Sequence, residues 1–236
     1  MQQLTLADEI VVLMLRDDTG TIKPACSGYA NIAIAGGVLM ELALQGRIDT
    51  DLTSLFIVDP KPAGDELLDQ ALKEISAAPD HKPTTWWIER FGLCGDDLTQ
   101  AVLRRLVEAG ILREEDRQFL WMFSRRAYPQ NTGREQREAK ARLLSMIFDD
   151  AVPDARDTLL LGLAHSSGVL NELLSPDELR KASNRIARVV ALEEIGRSVG
   201  AVEASLRATL AAVATARFGR GGRNSWLNAA VLQTNP

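Results

Sequence analysis

The segment that most constrains the fold is Asn31–Gln45, which is almost entirely apolar and is followed by Gly46. Glycine readily takes the left-handed conformation that closes many helices, so this run predicts a helix that stops at residue 45. Its small residues at positions 33 and 35–37 allow a neighbouring helix to approach closely. A helix that is apolar on all sides is normally buried. We therefore place this helix at the core.

Most of the remaining chain also has the helical period of apolar residues. Thr5 with Asp8 predicts a capped helix over Leu4–Leu15, and Ser175 before a proline starts a helix that runs to about Leu192. We expect a mainly α, single-domain fold in which amphipathic helices surround a central helical bundle. The bundle is predicted to contain Asn31–Gln45, Leu159–Leu174 and Val202–Phe218.

Two segments favour extended structure instead. Aromatic and branched residues cluster at Gln118–Phe123 between polar flanks, and this pattern predicts one β-hairpin around Phe119–Asn131. The segment Arg47–Val58 alternates weakly between polar and apolar residues, and it predicts a short strand or an extended arm.

The C-terminal residues differ in composition from the rest of the chain. Gly219–Asn224 is rich in glycine and arginine, which predicts a flexible linker. We therefore divide the chain into a domain over residues 4–218 and a flexible tail over residues 219–236. The tail contains Trp226 among apolar residues. We expect Trp226 to dock on its own domain or on a neighbouring subunit, and a disordered terminus is the alternative.

Charge and composition exclude several classes of protein. The net charge of −5 argues against nonspecific nucleic-acid binding, which requires many cations. Two cysteines are too few for a disulfide framework or a zinc site. No apolar run approaches the roughly 20 residues of a membrane span, and the short run Ile10–Leu15 follows acidic residues, unlike a secretory signal. We predict a cytoplasmic protein whose membrane contacts are peripheral.

Motifs of catalysis and cofactor binding are missing from the sequence. His165 beside Ser166 and Ser167 suggests a base and a nucleophile, but neighbours in a helix face different directions, so a partly buried, backbone-bonded histidine is favoured. A second cluster is formed by Asp149, Asp150, Asp154 and Asp157. Acids at this position, just before and within a helix start, are typical of helix capping. We therefore predict that the protein is not an enzyme and holds neither cofactor nor metal.

Pairs of arginines occur at two places. Arg104 and Arg105 end the predicted helix Asp96–Ala109, where cations complement the helix dipole. Arg125 and Arg126 directly follow the apolar hairpin segment. Apolar burial at headgroup level together with guanidinium groups for phosphate is what a membrane-surface contact needs.

The hairpin therefore supplies the candidate binding residues. The predicted lipid-binding residues are Trp121, Phe123, Arg125 and Arg126. The alternative is that the apolar segment packs on the domain or forms an oligomer contact with a second copy, because apolar patches often meet protein. The residues of that contact are Phe119, Leu120, Trp121, Met122 and Phe123.

Five blocks follow one another in a fixed order along the chain. They are Leu4–Ile10, Ala35–Ile48, Gly64–Asp69, Leu106–Leu112 and Gly162–Leu170. With these blocks the chain resembles the Golgi phosphoprotein 3 family from about residue 4 to residue 218. Eukaryotic members are cytosolic proteins that dock on Golgi membranes by binding phosphatidylinositol 4-phosphate, and bacterial members, which this chain resembles, share the fold without an assigned role. In relatives, the hairpin mediates self-association and faces the membrane.

The resemblance also indicates which residues bind the headgroup in eukaryotic relatives, namely one tryptophan and three arginines. The corresponding positions here are Cys26, Ala35, Asp96 and Thr99. What the resemblance implies is therefore a peripheral membrane adaptor that binds anionic phospholipid headgroups, without the family's phosphoinositide pocket. The alternatives are a protein-interaction adaptor that binds no lipid and a small-molecule hydrolytic enzyme around His165.

Overall fold

The computed structural model describes residues 3–51, 54–93, 97–119, 123–149, 154–190 and 208–209. This part of the chain is mainly helical and contains two separate two-stranded antiparallel sheets. Its elements are α1 (Leu6–Met14), α2 (Ala30–Leu44), β1 (Ile48–Thr50), β2 (Leu55–Ile57), α3 (Glu66–Ala77), α4 (Thr84–Leu93), α5 (Leu98–Glu108), β3 (Glu115–Phe119), β4 (Phe123–Ala127), α6 (Arg134–Phe148), α7 (Ala155–Ser166), α8 (Leu170–Leu173) and α9 (Pro176–Val190).

Helix α2 lies at the centre, as its composition predicts. It contacts α1, α3, α4, α5 and α7, and it ends before Gly46, whose φ is +65°. The close approach of α1 depends on Gly37, because a Cβ atom there would lie 3.1 Å from the backbone nitrogen of Ala7. The predicted core helix is confirmed, and α7 packs against it. The predicted helix Leu159–Leu174 is not continuous, because α7 ends at Ser166 and α8 begins at Leu170. The third predicted bundle helix, Val202–Phe218, lies outside the described residues apart from positions 208 and 209.

The helix starts agree with the capping signals in the sequence. The backbone N–H of Asp8 donates to the Thr5 hydroxyl at 3.2 Å, and the Asp8 carboxylate accepts from the Thr5 backbone at 2.9 Å. Ser175 and Glu178 form the same reciprocal box at the start of α9. Helix α5 is capped by Asp97, one residue after Asp96, the predicted cap, and Asp97 accepts from the Gln100 backbone at 3.3 Å.

The first hairpin is a feature that the sequence predicted only as a strand or an arm. Strands β1 and β2 pair in antiparallel register, with Ile48 opposite Ile57. The turn is closed by the N–H of Asp51, which donates to the carbonyl of Ser54 at 2.9 Å. The weak alternation of Arg47–Val58 therefore belongs to two short paired strands.

The second hairpin is confirmed, but its strands lie upstream of the predicted ones. Strands β3 and β4 pair from Glu115 opposite Ala127 to Phe119 opposite Phe123. The apolar segment Gln118–Phe123 is thus not one strand, since Gln118 and Phe119 end β3 and Phe123 begins β4. Leu120, Trp121 and Met122, which belong to the predicted oligomer contact and in the case of Trp121 also to the predicted lipid contact, lie outside the described part of the chain. Strongly polar residues form most of both strands, which is why an apolar pattern misplaced them.

Three arginines from different helices converge on the first turns of α1. Arg105 of α5 bonds the buried Asp8 through Nε at 3.0 Å, and it bonds Asp65, the N-cap of α3, at 2.7 Å. Its Nη2 also donates to the Thr5 hydroxyl at 3.1 Å. The predicted role of Arg105 in complementing its own helix dipole is therefore incomplete, because the side chain connects α5 to the starts of α1 and α3.

The other two arginines surround Glu9. Arg142 of α6 bonds both Glu9 and Asp157, the latter at 2.7 Å, while Arg156 of α7 bonds Glu41 at 3.0 Å and lies 3.6 Å from Glu9. Burial raises the pKa of Glu9, and the two guanidinium groups oppose that effect. Charged groups so far from water need such partners, so the network holds α1 in register with α2, α6 and α7.

Candidate functional site

The base of the β3–β4 hairpin is fixed to the body of the domain. The N–H of Tyr128 donates to the carbonyl of Gly20 at 2.8 Å, and the Tyr128 hydroxyl donates to Gln100 at 3.0 Å. Gly20 has a φ of +64°, and a Cβ atom there would lie only 2.2 Å from the nitrogen of Pro129. Among the described elements, β3 and β4 contact mainly each other. The hairpin is therefore anchored at its base rather than along its length.

The register of the strands sorts the hairpin residues onto two faces. Residues directly opposite each other share a face, and successive pairs alternate between faces. Phe119 and Phe123 form the pair next to the connection, and Arg117 and Arg125 form the pair two residues further on. These two pairs lie on the same face. Two phenylalanines and two arginines thus occupy positions on one face of the backbone ladder, and we call this set of positions the aromatic–arginine face.

The two arginines predicted as one phosphate-binding unit are separated by this register. Arg126 is opposite Asp116, on the other face from Arg125. The exposed Arg126 lies 3.2 Å from Glu114, which places an acid against it. The residue that shares a face with Arg125 is Arg117, which the sequence interpretation missed. The sequence signal for Arg117 was its spacing of two residues from Phe119, because residues two apart in a strand lie on the same face.

The positions of the family headgroup site have other partners here. Cys26 and Ala35 are fully buried, and burial raises the pKa of the Cys26 thiol to about 11. The Thr99 backbone and hydroxyl both donate to the Asn31 side chain, at 2.9 and 2.6 Å. Asp96 lies outside the described residues. A cavity of about 280 Å³ adjoins Thr99, and no arginine or lysine is among the described residues that line it.

The residues suggested as an alternative catalytic cluster lie at the C-terminal end of α7. His165 lies in the last turn of α7 and is exposed, so the expectation of a partly buried histidine is wrong. The Ser167 hydroxyl donates to the Leu163 carbonyl at 2.6 Å. Serines in helices commonly bond the preceding turn in this way, which uses the hydroxyl proton.

The acidic cluster near the start of α7 is used within the fold. Asp154 caps α7 by accepting from the Asp157 backbone at 2.7 Å, and Asp157 itself bonds Arg142. Burial raises the pKa of Asp157. Within the described ranges, no three histidine, cysteine or acidic residues are grouped as metal ligands. Asp150 lies outside those ranges.

Each helix in the described part of the chain is too short or too polar to cross a bilayer. The protein is thus a helical domain that is built around one apolar helix and carries a hairpin anchored at its base. The family model for Golgi phosphoprotein 3 (GPP34) matches residues 6–231, and the chain belongs to that family. The family predicted from the sequence blocks is confirmed. The match also extends beyond residue 218, the predicted domain boundary.

A curated relative is similar over part of the chain. It is the vacuolar protein sorting-associated protein 74 of Schizosaccharomyces pombe, which is 29% identical over 138 residues. The matched region covers 50% of this chain and 41% of the relative. The match therefore spans less than half of the relative's length.

Proposed function

We propose that this protein is a peripheral membrane adaptor that binds anionic phospholipid headgroups through the aromatic–arginine face of the β3–β4 hairpin. The observation that carries the proposal is the register, which places Phe119 and Phe123 on one face with Arg117 and Arg125. Membership of the Golgi phosphoprotein 3 family supports a role at membranes. So does the name of the yeast relative, which refers to protein sorting. The proposed location is the cytoplasm and the adjoining membrane surface.

The proposed membrane binding combines two weak contributions to the binding free energy on one face of the hairpin. Aromatic side chains gain free energy when they enter the boundary between headgroups and acyl chains, and basic residues near an anionic surface contribute about 1 kcal/mol each. Two arginines and two phenylalanines on one face supply both contributions. Phosphoinositide specificity is not proposed, because the positions that the resemblance aligns with the relatives' tryptophan and three arginines hold Cys26, Ala35, Asp96 and Thr99.

Flotation with vesicles tests this proposal. We expect binding to vesicles that contain phosphatidylinositol or cardiolipin, and weaker binding as salt rises, because salt screens exposed charges. The double variant Arg117→Ala/Arg125→Ala should lose most of the bound fraction. The matched control is Arg126→Ala, which removes one arginine from the opposite face and should retain most of it. Binding that is insensitive to salt, or equal in all three proteins, would contradict the proposal.

Self-association through the same hairpin is a second candidate. A two-stranded sheet has two edges, and unpaired edges are templates for pairing with another chain. In the described elements, β3 and β4 pair only with each other. Sedimentation velocity distinguishes the two uses: a dimer that Trp121→Asp/Phe123→Asp converts to monomer supports an oligomer contact. A wild-type protein that stays monomeric at high concentration removes this candidate.

A further inference from the structure

A groove of about 590 Å³ lies between α3, α4 and α5 and above α2. Its floor is formed by the buried residues Val38, Ala71 and Phe91. Its walls include the half-buried Leu67 and Ala101. This volume is within the range of small-molecule sites, which combine an apolar floor with a few polar groups. Of the four positions aligned with the family headgroup site, the three that the structure describes, Cys26, Ala35 and Thr99, do not line this groove.

The carboxylates at the rim of the groove already have partners. Asp97 caps α5 by accepting from the Gln100 backbone at 3.3 Å. Glu74 of α3 lies 3.5 Å from the guanidinium of Arg90. The rim also carries Arg90 and Arg104, so the two acids among its described residues are balanced by two cations.

The donors at the same rim are available. Arg104 is exposed, and it has no ion-pair partner among the described residues, in contrast to its neighbour Arg105. The side-chain oxygen of Gln100 accepts from the Tyr128 hydroxyl at 3.0 Å, so its amide N–H groups remain to donate. A guanidinium and an amide donor above an apolar floor suit a ligand with an anionic head and an apolar body.

We propose that this groove binds a single-chain amphiphile with a carboxylate head. The alkyl chain lies on the floor of Val38, Ala71 and Phe91, and the carboxylate accepts hydrogen bonds from Arg104 and Gln100. This site uses no residue of the β3–β4 hairpin. It is therefore independent of the membrane contact proposed above, and either one can fail without the other.

Titration with decanoate below its micelle concentration tests the site, with amide chemical shifts as the readout. We expect saturable shifts in α3 and α5. Arg104→Gln should weaken binding about tenfold, the loss expected for one charge-assisted hydrogen bond. Arg104→Lys should bind with intermediate affinity, because lysine keeps the charge but not the planar fork. The control Arg188→Gln changes an exposed arginine of α9 and should bind like the wild type.

Two ligands of equal chain length isolate the role of the charge. Decanol and decyltrimethylammonium should bind much more weakly than decanoate if Arg104 selects the head. Ala101→Phe, which fills the groove, should abolish binding of decanoate, and its circular dichroism spectrum checks its fold. If that variant unfolds, the titrations of Arg104→Gln and Arg104→Lys still test the proposed site. Equal binding of all three ligands, unchanged affinity of Arg104→Gln, or shifts confined to the hairpin would overturn the proposal.

Discussion

At the scale of single residues, the thiol of Cys26 is held in its unreactive form. It is fully buried, and burial raises its pKa to about 11. The thiolate is the nucleophile, so little of it exists at mildly alkaline pH. In a Cys94→Ser variant, we expect Cys26 to react with a disulfide reagent only after denaturation. Rapid reaction of the native variant would contradict this description of the site.

Adjacent arginines of α5 should differ sharply in their contribution to stability. Removing Arg105 leaves the buried Asp8 without its cation, and loss of one partner from a buried pair costs about 3 kcal/mol. Arg104 is exposed, so its removal should change the free energy of unfolding by less than about 0.5 kcal/mol. Urea denaturation of Arg105→Ala and Arg104→Ala measures the difference. Equal losses would show that the network does not hold α1.

The capping box of α9 gives a pH dependence with a definite sign. A hydrogen bond from the Ser175 hydroxyl lowers the pKa of Glu178 below its ordinary value of 4.5, and the Ser175 backbone adds to the shift. A carboxylate with a lowered pKa stabilises the fold above its unfolded pKa, and that stabilisation is lost as pH falls through the folded pKa. Glu178→Gln should therefore reduce the free energy of unfolding at neutral pH and not in strong acid. A difference in the free energy of unfolding between Glu178→Gln and the wild type that is independent of pH would contradict this role of the Glu178 carboxylate.

At the scale of elements, the helix starts were predictable and the hairpin strands were not. Thr5 with Asp8 and Ser175 with Glu178 are local signals, since residues three apart complete each cap. Strands β3 and β4 are mostly charged, so apolar alternation could not locate them. The hairpin itself was predictable from its aromatic residues, whereas the face shared by Arg117 and Arg125 required the register.

The anchor of the hairpin should depend on Gly20 for two reasons. A side chain there needs a left-handed conformation, and its Cβ would lie 2.2 Å from Pro129. Gly46 is the matched control, because its φ is +65° but nothing lies within 4 Å of a Cβ atom. We expect Gly46→Ala to lower the free energy of unfolding by about 1 kcal/mol, the effect of the left-handed conformation alone. Thermal unfolding should show a clearly larger loss for Gly20→Ala; equal losses would mean that the close approach is relaxed without cost.

At the scale of the whole molecule, the central position of α2 followed from its apolar sequence, but the charge network did not. Arg105 and Asp8 are 97 positions apart, and Arg142 and Glu9 are 133 positions apart. No local pattern relates such residues, because only the packing of α1 against α5 and α6 brings them together. Docking of Trp226 stays a prediction, since residues 210–236 lie outside the described part of the chain.

A dye attached at position 121 reports whether the hairpin meets an anionic membrane. In Cys94→Ser/Trp121→Cys the buried Cys26 should not react, so an environment-sensitive dye labels residue 121 alone. We predict a blue shift of the dye with cardiolipin vesicles, reversed by salt and missing with zwitterionic vesicles. The added variants Arg117→Ala/Arg125→Ala should remove most of that shift. An emission spectrum unchanged by anionic vesicles, or a blue shift that depends only on protein concentration, would contradict it.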